Sequence, residues 1–205
     1  MRSAQRAFEN LARASADQRS PAALILSRCA ALCADGEPDT KKVLAETQIG
    51  IDAASVAGGG AKGDPRASYY LAVNLGMQLR LLGLDAIARI KELQDALAAA
   101  VADPSEDQGG PLRILAMLYL RAPAWPVGPG DPEAALPLLK DAVERFPSHP
   151  QNHLFYAMAL EANGEREKAL SELAIAADMA RPSLWGESAG RWLAEISALE
   201  SQLRR

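Results

Sequence analysis

Apolar residues recur every three or four positions along most of the chain, which is the spacing of amphipathic α-helices. The pattern predicts a basic helix over 2–17 and a second helix with Ser20 as N-cap and Pro21 at its first position, stopping near Gly36. A third helix is predicted after the capping residue Asp39. Runs rich in Val, Ile and Thr, which are typical of strands, are absent from the sequence. The sequence therefore predicts an all-α protein.

Helical hairpins are predicted in the rest of the chain. Each consists of two amphipathic segments joined by a turn, and they cover 65–103, 110–146 and 149–180. In the first of the three, Gly83 is the predicted turn and the return helix begins at Leu84. Together with the degenerate hairpin near the N-terminus, this pattern predicts about four hairpins.

Two of these stretches repeat at a spacing of 34 residues. The aligned positions are Gly130 with Gly164, Ala135 with Ala169, Leu139 with Leu173, and Ala142 with Ala176. A period of about 34 with small residues at fixed steps is typical of the tetratricopeptide repeat, in which helical hairpins stack side by side. One hairpin cannot bury its own apolar face, so its small residues are expected where neighbouring helix backbones approach. The predicted fold is an α-solenoid of tetratricopeptide-like hairpins.

Four parts are predicted along the chain. Residues 1–56 form N-terminal helices and the degenerate first hairpin, 57–64 a glycine-rich joint, 65–182 the repeats, and 183–205 a capping helix. The joint contains three consecutive glycines, which carry a large entropic cost in a helix and therefore indicate a flexible connection. A solenoid needs a terminal cap with a polar outer face, and the amphipathic last helix has that pattern.

An insertion replaces the tight turn of the third hairpin. The segment from Tyr119 to Asp131 is seven residues longer than the repeat pattern needs, and it holds Trp125 between prolines. Tryptophan is a frequent binding anchor, and prolines lower the cost of ordering a loop on contact. Two interpretations stay open: Trp125 anchors a partner, or it packs against its own hairpin.

Composition and charge exclude several classes of function. The chain is 49% hydrophobic and 23% charged, with a formal net charge of −4, which argues against general nucleic-acid binding. No segment has the roughly 18–20 consecutive apolar residues that span a bilayer, so no membrane-spanning helix is expected. The first residues lack the apolar core of a signal peptide. This predicts a cytoplasmic protein, or a periplasmic one if a leader was removed.

Few residues could carry catalysis or bind a metal. His149 and His153 are the only histidines, and Pro150 between them makes the spacing of a helical metal pair unreliable. Cys29 and Cys33 lie four apart and are interpreted as small buried hydrophobic residues, the alternatives being a disulfide within the helix or half of a metal site. A zinc site would need two further ligands. We expect no enzymatic activity, no cofactor and no metal.

Binding residues are expected on the inner helices, which line the concave face of such a stack. Aligning the hairpins places Met77, Met117 and Met158 at the same repeat position, where they form an adaptable apolar strip or fill gaps in the core. Arg113 is the one charge beside them and meets a carboxylate of a ligand or forms a surface salt bridge. The predicted groove consists of Tyr70, Asn74, Met77, Arg113, Met117, Phe155 and Met158.

Residues 110–170 resemble the T component of TRAP-transporter systems. In that family a leucine-rich helix leads to an Ala-Pro-x-Trp-Pro segment, a Gly-Asp start and a Pro-x-Asn-His continuation, which here begin at Ala122, Gly130 and Pro150. The upstream segment 69–76 also looks like the preceding hairpin of that family. A related helical-repeat family, the regulators of microtubule dynamics, shares the Tyr-Tyr and Asn-Leu-Gly style of helix.

The resemblance implies a periplasmic, often lipid-anchored protein that associates with a substrate-binding protein feeding a membrane transporter. Family members are thought to handle a ligand through a cleft or pore in the helical stack. The leading hypothesis is therefore a noncatalytic scaffold that holds a protein or peptide partner, such as a periplasmic solute-binding protein, in its concave groove.

Two other hypotheses stay open. The first is a small apolar-ligand-binding protein with a cavity between hairpins near Tyr70, Asn74, Met77 and Trp125. The second is a homo-oligomerisation module built by the terminal helix, whose Trp185 and Trp192 would form the contact.

Overall fold

The computed structural model describes residues 2–11, 13, 15–83 and 89–205. These residues form eleven helices and no strand, which confirms the predicted all-α fold. The helices are α1 (Arg2–Leu11), α2 (Ala16–Ala34), α3 (Thr40–Val56), α4 (Pro65–Leu82), α5 (Ile90–Ala100), α6 (Gly110–Arg121), α7 (Pro132–Arg145), α8 (Pro150–Ala162), α9 (Arg166–Met179), α10 (Pro182–Trp185) and α11 (Glu187–Leu203).

The chain divides into two compact units. The N-terminal unit is Met1–Glu106 and contains α1 to α5, and the C-terminal unit is Asp107–Arg205 and contains α6 to α11. Within each unit, helices that follow one another in the chain pack against each other, except α9 and α10. Sequential packing of this kind is the arrangement that stacked helical hairpins require.

The glycine-rich segment 57–64 is a turn inside the N-terminal unit. The amide of Asp64 donates to the carbonyl of Gly58 at 2.9 Å, and the hydroxyl of Ser68 donates to the carbonyl of Gly60 at 3.0 Å. Asp64 also caps α4 with its carboxylate. Helices α3 and α4, on either side of this turn, pack together in the N-terminal unit.

Helix α2 begins earlier than its sequence predicts. Its N-cap is Ser15, and Pro21 lies inside the helix. Ser20, the predicted cap, donates its hydroxyl to the carbonyl of Ala57 at 3.2 Å, so it holds α2 against the end of α3. The predicted start of the return helix at Leu84 lies outside the described residues, and the described helix begins at Ile90.

The C-terminal unit contains the predicted seam of small residues. Hairpins α6–α7 and α8–α9 pack through it, and α11 packs against α8 and α9. Every residue of the seam is at most 1% exposed: Ala135, Leu139, Ala142, Ala169, Leu173 and Ala176. The alanines therefore stand where backbones approach, as the 34-residue period predicts.

Overpacking this seam should destabilise the unit. Ala135→Leu should lower the free energy of unfolding by about 1–3 kcal/mol, since three extra carbons must fit where the side chain is fully buried. Urea unfolding followed by tryptophan fluorescence reports on this unit alone, because Trp125, Trp185 and Trp192 all belong to it. Ala174→Leu, on the exposed face of α9, is the matched control. Equal losses in both variants would contradict the assignment of the seam.

Candidate functional site

A groove of about 580 Å³ lies between α6, α8 and α11 of the C-terminal unit. Its lining residues are Met117, Leu120, Arg121, Met158, Glu161, Ala162, Glu195, Ala198, Leu199 and Gln202. On α6 and α8 they occupy positions i, i+3 and i+4, and on α11 positions i, i+3, i+4 and i+7, so each helix presents one continuous stripe. The lining residues of α6 and α8 occupy equivalent positions of consecutive repeats, because the spacing between them is the repeat period plus the loop insertion.

The groove combines an apolar floor with charged walls. Met117 and Met158 are half-buried in it, and Leu199 packs against the core of α8 and α9 from the third wall. Glu161 stands on α8 and Glu195 on α11. Methionine side chains are flexible and polarisable, which suits them to partners of varied shape.

Three charged side chains in the groove form no ion pair with the residues that the structure describes. Arg121, Glu161 and Glu195 make no side-chain hydrogen bond or ion pair with any residue that the structure describes. On the neighbouring helix α9, by contrast, the exposed Lys168 forms an ion pair with Glu165. The two carboxylates give the groove an excess of negative charge over the single guanidinium.

Arg113 does not lie on the groove surface. Its side chain is only 2% exposed, and its guanidinium donates to the carboxylate of Asp107, to the carbonyl of Gln108 at 3.0 Å and to Oδ1 of Asn152 at 2.7 Å. Arg113 is held inside by the turn before α6. In this turn Asp107 and Gln108 have left-handed backbone angles, and their carbonyls point toward the guanidinium of Arg113. Arg113 is therefore a structural residue and presents nothing to a ligand.

Three predicted groove residues lie in the N-terminal unit, on α4. Tyr70 is buried and donates its hydroxyl to Glu106 at 3.0 Å, while Met77 is half-buried. Asn74 is fully buried and donates to the carbonyls of Ser27 at 3.2 Å and Tyr70 at 2.8 Å. The side chain of Asn74 fits because Gly50 has no side chain. A Cβ at position 50 would lie 2.3 Å from Oδ1 of Asn74. These contacts place Tyr70 and Asn74 in the core of the N-terminal unit.

Phe155 and Trp125 have opposite surroundings. Phe155 is half-buried and packs into the core between the two hairpins of the C-terminal unit, so it supports the groove without lining it. Trp125 is 86% exposed, and the alternative in which it packs on its own hairpin is not observed. Its loop is held by bonds from the amide of Gly130 to the carbonyl of Pro123 and from the amide of Asp131 to the carbonyl of Tyr119.

The last helices are anchored by an aromatic cluster. The ring of His149 lies 4.7 Å from that of Trp185 and 5.6 Å from that of Trp192 between centroids. Both tryptophans thus pack against His149 within the chain, and each stays half-buried. Burial and the nearby charge of Arg113 lower the pKa of His149 to about 3, so the 3.9 Å approach of its Nε2 to Asp107 is no ion pair at neutral pH.

His153 is engaged differently and does not form a metal pair with His149. Its Nδ1 lies 2.7 Å from Glu172 and its Nε2 lies 2.8 Å from the carbonyl of Pro147. Burial alone would lower the pKa of His153, but these two hydrogen bonds and the charge of Glu172 together raise it above 6.5. The described residues contain no group of three or more metal-ligating side chains.

The two cysteines lie at the surface of α2. Cys29 and Cys33 are exposed and free, which corrects the prediction that they are buried: they line an open groove beside residues of α1 and α3 and do not pack into the core. None of the described helices combines the length and apolar composition that crossing a membrane requires.

Comparison with protein families agrees with this architecture. Residues 127–185 match the family model of the tetratricopeptide repeat. The match covers α7 to α10, which include one wall of the groove and the buried seam. No curated protein gives a significant match to the chain. Over this segment the chain is similar to a class of repeats that generally mediate protein–protein interaction.

Proposed function

We propose that the C-terminal unit is a noncatalytic scaffold that binds a peptide segment of a partner protein in the groove between α6, α8 and α11. The observation that carries the proposal is the pair of equivalent stripes containing Met117 and Met158, faced by a third stripe on α11. Consecutive repeats that present the same positions to one groove suit an elongated ligand, because each repeat contacts the next few residues along it.

The walls of the groove favour a partner with apolar and basic side chains. An apolar residue would bury itself against the methionines, and a Lys or Arg of the partner would meet Glu161 or Glu195, which form no ion pair with any described residue. Arg121 at the end of α6 suits an acidic group at one end of the peptide. Trp125 supplies a second contact, since its loop follows Arg121 directly and holds the ring exposed.

The resemblance of residues 110–170 to the T component of TRAP-transporter systems supplies one candidate partner, a periplasmic solute-binding protein. In this version of the proposal the scaffold is an accessory of solute uptake. Pull-down of such a binding protein, encoded beside this chain, by the wild type and not by Met117→Glu would support it. Capture of the binding protein by both the wild type and Met117→Glu, or by neither of them, would contradict this version of the proposal.

Charge placed among the methionines of the groove should weaken peptide capture. Panning a random peptide display library on the full-length protein should enrich sequences that carry apolar and basic residues. Met117→Glu and Met158→Glu should each weaken the enriched peptide about 30-fold, because a central contact of a binding site is worth about 2 kcal/mol. Fluorescence anisotropy of the labelled peptide measures the affinity, and unchanged circular dichroism shows that the variants are folded.

Met77→Glu is the matched control, since Met77 is a half-buried methionine at the equivalent repeat position in the other unit. It should bind the peptide like the wild type. The groove assignment is wrong if the enriched peptides bind Met117→Glu and Met158→Glu with wild-type affinity. It is also wrong if panning enriches no peptide that binds these variants more weakly than the wild type.

A further inference from the structure

A second groove, of about 400 Å³, lies in the N-terminal unit between α1, α2 and α3. Its lining residues are Ala7, Leu11, Ala22, Ile25, Leu26, Cys29, Ala30, Cys33 and Glu46. Apart from the two thiols and one carboxylate these side chains are apolar. The peptide-binding proposal makes no use of this groove.

The two cysteines share one edge of this groove. Cys29 and Cys33 are four residues apart on the continuous helix α2, and both are exposed and free. Side chains at i and i+4 of a helix are neighbours, with Cβ atoms about 5–6 Å apart. Each sulfur turns about a single side-chain bond between staggered positions, so both sulfurs can approach one ion held between them.

The number and kind of donors decide which ion suits the pair. Among the residues that the structure describes there is no third metal-ligating side chain grouped with these thiols. Structural zinc is almost always bound by four ligands, so this donor set is too small for it. Soft thiolates select monovalent copper, which is satisfied by two of them. The carboxylate of Glu46 is a hard donor, for which a soft cation has little preference.

We propose that Cys29 and Cys33 form a two-coordinate site for Cu(I). Binding forms two copper–sulfur bonds and releases two thiol protons to solvent, with no change of oxidation state. The product is a bis-thiolate complex with one net negative charge.

Anaerobic titration of the full-length protein with Cu(I), in competition with a chromophoric Cu(I) chelator, tests the site. The wild type should bind one ion per chain. Cys29→Ser and Cys33→Ser should each bind about 10²–10⁴-fold more weakly, because the second thiolate binds intramolecularly only when both are present. The substituted positions are exposed, so these variants are expected to keep the fold, which circular dichroism checks.

A variant with two thiols out of register separates chelation from thiol content. Cys29→Ser combined with Arg28→Cys keeps two exposed thiols but spaces them five residues apart, which places them on different faces of α2. It should bind Cu(I) as weakly as the single variants. Wild-type affinity in this control or in either serine variant would overturn the site, and so would a stoichiometry of one ion per two chains.

Discussion

Replacing Arg113 by alanine is expected to lower the free energy of unfolding of the C-terminal unit by about 3 kcal/mol. The guanidinium is buried and bonds Oδ1 of Asn152 together with the carbonyls of Asp107 and Gln108. Without it, Asn152 keeps a buried acceptor with no donor, and the turn before α6 loses the group that holds its left-handed residues. The ion pair itself contributes less, because Asp107 is half exposed.

Urea unfolding followed by tryptophan fluorescence measures this loss in the full-length protein. Arg121→Ala is the control, since it removes an exposed arginine from the same helix and should change the stability by less than about 0.5 kcal/mol. The loss in Arg113→Ala should not add to that of Asn152→Ala, because the two side chains share one hydrogen bond. Similar stability of the Arg113→Ala and Arg121→Ala variants would refute the structural assignment.

Acid is expected to destabilise the same unit through His149. Its pKa of about 3 in the folded protein lies below the 6.5 of an unfolded histidine, so the unfolded state takes up a proton first as the pH falls. The stability therefore decreases from about pH 7.5 to 4 by roughly 3 kcal/mol on account of this residue. Below pH 3 both states are protonated, and His149 causes no further loss.

Unfolding of wild type and His149→Phe at several pH values isolates this contribution. Phenylalanine keeps an aromatic ring against Trp185 and Trp192 but cannot titrate, so the stability of the variant should depend less on pH below 6.5. His153 has the opposite sign: its raised pKa gives stability that is complete below pH 6.5 and is lost as the pH rises through the folded value. His153→Gln should therefore leave the acid limb unchanged. Parallel pH curves for wild type and His149→Phe would contradict the buried neutral imidazole.

Part of the groove could be predicted from the sequence. Met117 and Met158 were placed together by the repeat alignment, and both line it. The wall on α11, with Glu195 and Leu199, was missed because the last helix was interpreted as a cap or as an oligomer contact and not as part of the groove. The lining residues of α11 follow the spacing i, i+3, i+4 and i+7, which can be read in the sequence. Two of these four residues are polar, however, so the sequence pattern does not distinguish them from ordinary surface positions of a helix.

Arg113 shows why burial could not be predicted. A lone arginine on an inner helix is expected at the surface, since charged side chains are rarely buried unless paired. Its partners Asp107 and Asn152 belong to a left-handed turn and to the next hairpin, and neither position is marked in the sequence. Cys29 is the reverse case, because a small hydrophobic residue was expected inside and stands exposed on α2.

The sequence by itself determined the helical class, the hairpin pairing and the alanine seam, because these depend on local periodicity and on side chains too small to keep backbones apart. The tertiary structure alone decided that the units divide after Glu106, that α11 closes the groove and that His149 is buried neutral against two tryptophans. Those outcomes depend on contacts between residues distant in the chain, whose desolvation and hydrogen bonding no local pattern encodes.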